Sequence, residues 1–256
     1  MKGFLPVYKK ELYCSFASPI FYVVAIAFLC LAGYFYYSAI IYYNLLSFQA
    51  GQNPFLADQL NLQDMVTRPL FTDMSIVMLL MAPLLTMRIY AEERKTGTIE
   101  LLFTYPITDR SAMLAKFAAV VTTFLAILAG TLPSIFLLEW ITEPNWKVLG
   151  ASYLGLFLLG SAFLSLGTFT SSLTHNQIVA AVLSFAALLM FWVISWMSSV
   201  TQSGIGKVIE YLSITEHFNN FPKGILDSRD ILYYLLFIAF FLFATLRQIE
   251  SYRWRG

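Results

Sequence analysis

Charge is scarce in this chain. Only 12% of its 256 residues are Asp, Glu, Lys or Arg, where a soluble domain carries about 25%. With 59% of the residues hydrophobic, so little charge cannot clothe a water-facing surface, and an ordinary soluble domain is excluded. The same apolar content excludes disorder. Cysteine is nearly absent: Cys14 and Cys30 belong to no CxxC pair, which rules out a disulfide-stapled secreted domain. Excess charge of either sign is also missing. Sixteen basic residues stand against 15 acidic ones, so there is no overall basic field for nucleic acid. Finally, there is no GxxxxGK[ST] phosphate loop. The nearest match, Gly204-Ile205-Gly206-Lys207, lacks the spacing, the following Ser or Thr and the preceding strand. The chain itself is therefore not expected to bind ATP or any other cofactor.

What the chain does have is long uncharged runs. A bilayer span needs about 20 apolar residues, and the runs predict spans at about 20–43, 69–87, 117–138, 148–170, 178–199 and 231–246. The stretch from Val148 to Gly206 holds no charged residue and is too long for one span. The polar group from Thr168 to Gln177 marks its reversal. In the sixth run, Asp230 and Arg247 can snorkel to the two interfaces. The expectation is an all-α polytopic membrane protein, one domain over 1–256 with six transmembrane helices, packed among membrane lipids.

Six spans put both termini on one side. Eleven of the 16 basic residues fall there: Lys2, Lys9, Lys10, Arg88, Arg94, Lys95, Arg110, Lys116, Arg247, Arg253 and Arg255. By the positive-inside rule both termini are expected in the cytoplasm. The first apolar run is too long for a cleavable signal and ends in Tyr42-Tyr43-Asn44 rather than at a small-residue site, so it reads as an anchor. Upstream of it, Phe4, Leu5, Tyr8, Leu12 and Phe16 recur at helical spacing opposite Lys2, Lys9 and Glu11, as in an interfacial amphipathic helix.

The inner segment at 88–116 is the most informative part. It is long, dense in charge, and carries an apolar group at Ile99, Leu101, Leu102 and Phe103. Gly97-Thr98 can interrupt the helix leaving span two, Thr98 can cap a short new helix, Pro106 can close it, and Asp109 or Ser111 can cap span three. A solvated loop and a face offered to a partner explain this composition equally well. The run Glu92-Glu93-Arg94-Lys95-Thr96-Gly97-Thr98-Ile99-Glu100-Leu101-Leu102, followed by Pro106-Ile107, resembles the cytoplasmic signature of ABC-2 type permeases. These are the membrane subunits of one class of ATP-binding-cassette transporters. Ser171-Ser172-Leu173-Thr174-His175-Asn176-Gln177 is similar to that family's turn between spans four and five. Glu216-His217-Phe218, Lys223 to Asp230 and Tyr233-Tyr234 resemble the stretch before the last span in its gliding-motility and nitrous-oxide-reductase-maturation subgroup.

The resemblance implies a bacterial cytoplasmic (inner) membrane protein with a coupling helix between spans two and three that docks on a separate ATPase. That ATPase would bind ATP and Mg. A second permease, identical or related, would complete the assembly. Carried onto this chain, the coupling contacts are Glu92, Glu93, Gly97, Thr98, Glu100, Leu101, Leu102 and Pro106, and the inner turn is Thr174, His175 and Asn176. The external segment at 200–230 would correspond to short external helices, with Ile205, Val208, Ile209 and Leu212 on one face. It either re-enters the membrane or lies on its surface.

Function outside transport has thin support. Gly150-Ala151-Ser152-Tyr153 matches the GxSx of rhomboid proteases, but no span holds a histidine base. Glu92-Glu93 begins the EExxxR of intramembrane prenyl-protein proteases, but the sixth position is Gly97 and the metal-binding histidines are missing. Ionisable residues approach the membrane only at Asp73 and Glu139, whereas Phe35, Tyr36, Tyr37, Tyr42, Tyr43, Phe185, Phe191, Trp192 and Trp196 line spans one and five. These suit a hydrophobic or amphipathic cargo, and equally suit lipid contact and interfacial belts. The expectation is an export permease without an enzymatic site of its own; the alternative is a membrane scaffold that anchors an ATPase or surface machinery.

Overall fold

The computed structural model describes residues 3–51, 63–98, 107–141, 145–200, 211 and 213–255. Among them are helices and turns and no strand. Helix α1 (Phe4–Ala17) turns at Ser18 into α2 (Pro19–Ala50), where Pro19 sits at the helix start and needs no N–H partner. A π-helical turn, Gln63–Thr67, leads into α3 (Arg68–Thr86), followed by the short α4 (Ala91–Lys95). Then come α5 (Asp109–Ala129), α6 (Leu132–Ile141), α7 (Trp146–Leu173), α8 (Gln177–Val200) and α9 (Ser228–Arg255). Among the described residues, six helical stretches are long and apolar enough to cross a membrane. The chain is therefore an all-helical multi-pass membrane protein.

The six are not equivalent. The apolar window of α7 is 78% buried, while those of α2 and α8 are each 17% buried. Helix α7 is the hub, packed on α9, α3, α8 and α5 and on the 3-10 turn Phe221–Lys223. Small side chains bring its neighbours this close. A Cβ added at Gly155 would sit about 2.5 Å from the Phe221 ring system, and one at Gly160 would strike the Phe124 ring. The outward faces of α2, α8 and α9 carry Tyr22, Ile26, Tyr37, Ile178, Met190, Leu236 and Phe240, all exposed where lipid would cover them. Two voids between the spans are about 10 Å³ each, one beside Met78, Phe124 and Gly160 and one beside Tyr36, Phe71 and Tyr153, and a third of about 100 Å³ lies beside Phe21, Leu84, Leu85 and Thr123. The subunit has no roomy path through its middle at these places.

Several boundaries differ from those expected of the sequence. Helix α2 continues past Tyr43 to Ala50 because Asn44, Ser47 and Gln49 are polar but not helix-breaking. The third span starts at Asp109 rather than Phe117 and bends after Ala129, where Pro133 has no N–H to continue the ladder. Its cap is the Thr108 side chain, which accepts from the Ser111 N–H, rather than Asp109 or Ser111. The last helix begins before Asp230 and runs past Arg247, both of which were expected to bound it.

Candidate functional site

The charged end of the bundle is organised around an elbow after span two. Pro83 weakens the end of α3, and the Thr86 hydroxyl donates to the Ala82 carbonyl. The helix breaks first at Met87–Tyr90, which was not expected, and again at Thr96–Gly97, where a break was expected. The first turn of α4 then has amides with no capping side chain of its own. Ser171, fully buried near the end of α7, supplies the cap: its Oγ accepts from the Tyr90 N–H at 3.1 Å and the Ala91 N–H at 3.2 Å, and donates to the Met87 carbonyl at 3.0 Å. One hydroxyl thus fixes the elbow to the central helix.

A second tie reaches α1 and α5. Lys116, 1% exposed, donates to Glu11 Oε1 and Glu93 Oε1, each at 2.8 Å, and to the Ile89 carbonyl at 3.3 Å. Lys10 donates to the same two carboxylates at 3.0 and 2.8 Å. Two cations and two anions therefore alternate around one point, each carboxylate oxygen shared by both lysines. Burial disfavours the Lys10 ammonium, but hydrogen bonding and charge from Glu93 and Glu11 outweigh it and hold its pKa well above the ordinary lysine value. Glu11 was expected on the water-facing side of α1; it is drawn inward because Lys116 lies two turns inside α5 and is itself buried. Arg88 grips Glu92 through Nε at 2.7 Å and Nη2 at 2.9 Å, and its Nη1 donates to Ser18 at the α1–α2 turn.

The third side of α4 faces the last helix. The Arg94 guanidinium lies 4.5 Å from the centroid of the Tyr252 ring, and His175 of the inner turn lies 6.5 Å from the same ring. In that turn Thr174 Oγ1 accepts from the Asn176 N–H, and Asn176 Oδ1 accepts from the Ile178 N–H, which starts α8. Gly97 ends α4 in the left-handed region at φ +71, a conformation that glycine adopts without strain. Between α1 and the elbow runs an open groove of about 1320 Å³, lined among others by Val7, Lys10, Cys14, Arg88, Glu93 and Ile107.

The model of the ABC-2 family of transporter proteins matches residues 5–247. The chain belongs to the ABC-2 transporter family. No curated protein matches it. Membership makes it a membrane permease subunit of an ABC transporter, of a family that typically works with an ATPase subunit.

In this ABC-2 protein, the site residues expected from sequence fall into two groups. Glu92, Glu93, Gly97 and Thr98 cluster on and beside α4; of the inner turn, His175 reaches it through Tyr252, while Thr174 and Asn176 hydrogen-bond within the turn itself. Glu100, Leu101, Leu102 and Pro106, and the external Ile205, Val208, Ile209 and Leu212, lie outside the described residues. Glu93 faces the interior, its Oε1 taken by two lysines. Thr98 donates back to the Glu93 carbonyl and meets Thr96 Oγ1 at 2.9 Å. Sequence reasoning did not single out Ser171, Lys116, Glu11, Arg94 or Tyr252 as parts of one platform. A lysine two turns into an apolar helix was the one available signal.

Two residues weighed earlier have structural occupations. Ser152 is fully buried and its hydroxyl donates to the Val148 carbonyl at 2.8 Å. At the opposite end of the bundle, His217 Nδ1 lies 2.7 Å from Asp230 Oδ1 and Nε2 lies 3.2 Å from the Tyr211 carbonyl. Asn220 Nδ2 donates to the other Asp230 oxygen at 2.8 Å, and Tyr233 stacks on the imidazole at 4.0 Å.

Proposed function

We propose that the chain is the membrane half of an exporter in the bacterial cytoplasmic membrane, with both termini in the cytoplasm and a separate ATPase docked on the segment at 88–116. It fits the gliding-motility and nitrous-oxide-reductase-maturation subgroup on its Glu216-His217-Phe218 and Lys223 to Asp230 segments. ATP and Mg belong to the partner. The observation that carries this reading is the platform itself: α4 is tied at once to α7 through Ser171, to α1 and α5 through Glu93, and to α9 through Tyr252. A push on α4 is therefore delivered to several spans together, as a coupling element requires.

The orientation is supported by the eleven basic residues on the terminal side. The small voids between spans favour a path formed with a second permease, identical or related, over one through the single subunit. The apolar, aromatic outer faces of α2 and α8 favour a hydrophobic or amphipathic cargo. Purification from native cells in mild detergent, with mass spectrometry and ATP hydrolysis of the eluate, tests the reading. Recovery of a nucleotide-binding subunit whose hydrolysis responds to cargo supports it. A chain that purifies alone and inactive overturns it, and a complex whose hydrolysis ignores every hydrophobic cargo offered favours the scaffold. Leu101→Glu with Leu102→Glu should abolish copurification of the ATPase.

A further inference from the structure

We infer that Arg94 is one half of a bidentate ion pair whose other half is an acidic side chain of the docked ATPase subunit. This rests on the coupling reading above. Arg94 is 8% exposed, and its Nε and Nη2 have no hydrogen-bond partner among the described residues. Those two nitrogens form one edge of the guanidinium, the edge that takes both oxygens of a carboxylate side-on. The chain shows what that edge looks like when filled: six residues earlier, Arg88 holds Glu92 Oε2 and Oε1 through the same two atoms at 2.7 and 2.9 Å.

Lys10, Arg88 and Lys116 all have carboxylates in this platform, whereas Arg94 has a ring. Tyr252 attracts the cation through its ring, at 4.5 Å from Cζ, and leaves Nε and Nη2 unserved. Burial with both edge donors unpaired is unfavourable, so this is a position that a partner carboxylate would improve. A carboxylate fits better than a solvated ion because the edge is out of reach of water until α4 shifts. Docking brings a partner carboxylate to this edge while Tyr252 keeps its place over the cation.

The test compares wild type, Arg94→Lys and Arg94→Met in nanodiscs, each melted alone and each titrated with the ATPase subunit recovered from native cells. Arg94→Lys keeps a cation over Tyr252 but cannot present the fork. Both variants should melt within about 2 °C of wild type, and both should bind the ATPase roughly tenfold or more weakly. Neutralising the acidic residues on the ATPase's permease-facing surface one at a time should find one whose loss weakens wild type equally and adds nothing to Arg94→Met. Wild-type affinity in Arg94→Lys, or strict additivity at every acidic position, overturns the inference while leaving the coupling reading intact. Loss of folding in both variants assigns Arg94 to the fold alone and also overturns it. A wild-type permease that captures no ATPase sinks the coupling reading first.

Discussion

Replacing Lys116 by methionine removes the one buried cation that three acceptors share. The side chain has the right length and apolar stem, so little packing is lost; what changes is electrostatic. Glu11 and Glu93, with side chains only 15% and 13% exposed, would then face each other with Lys10 as their remaining partner, and the Ile89 carbonyl would lose its donor. Breaking a buried ion pair by deleting one partner costs about 3–5 kcal/mol. Lys10, which already reaches both carboxylates, retains part of the attraction, so about 2–4 kcal/mol is expected here. For a chain of this size that corresponds to a fall in the unfolding midpoint of roughly 5–12 °C. The assay is a thermal melt in detergent, read by tryptophan fluorescence, with a compensated variant beside it. Lys116→Met combined with Glu11→Gln and Glu93→Gln removes both stranded anions and should recover most of the loss, since apolar or neutral replacement of a whole buried network is often near neutral. A single variant that melts with wild type would falsify the buried-network account. A triple variant no better than the single would show that the loss comes from packing.

Three further outcomes follow from the same geometry. Ser171→Ala leaves the Tyr90 and Ala91 amides without their acceptor and should cost about 1–3 kcal/mol; hydrogen exchange should rise at these two amides and around α4 while α9 stays protected. Gly160→Val should destabilise by about 1–3 kcal/mol by driving a methyl group into the Phe124 ring; pairing it with Phe124→Leu should restore part of the midpoint, and no rescue would argue against direct contact. Asp230→Ala strips His217 and Asn220 of their shared acceptor and should cost about 2–4 kcal/mol; protease sensitivity at 213–224 should increase, and unchanged cleavage would count against this anchoring.

Much of the fold was legible because a bilayer turns composition into length. Uncharged runs long enough to span gave six crossings, and the structure has six stretches of that kind. Legibility failed where charge was used as a boundary marker. Lys116 was placed outside span three, yet it sits inside the helix because Glu11 and Glu93, distant in sequence, neutralise it. Asp230 was taken as an end and is instead a partner of His217. The family motif covers the stretch that forms α4, but says nothing of what holds that helix. Ser171 caps that helix across 80 residues of sequence, and no local pattern announces a cap supplied by another helix. The direction of Glu93, inward rather than outward, likewise depends on the cations that α1 and α5 deliver.

The hub helix has a consequence for how the protein is made. Helix α7 has the lowest mean hydropathy of the six crossings, 1.7, and the greatest burial, while α8 has the highest, 2.4, and is among the least buried. Its polar groups are largely self-contained: the hydroxyls of Ser165, Thr168, Thr170 and Ser172 donate to carbonyls of their own helix. The segment can therefore enter the lipid as an independent crossing without stranding those groups, and its serines and glycines remain as recesses for neighbours to settle into. Helices α3 and α5 precede it from the ribosome, and α8 and α9 come after. The elbow's cap comes from a helix that follows it in the chain, so the elbow has its Ser171 contacts only when α7 is in place.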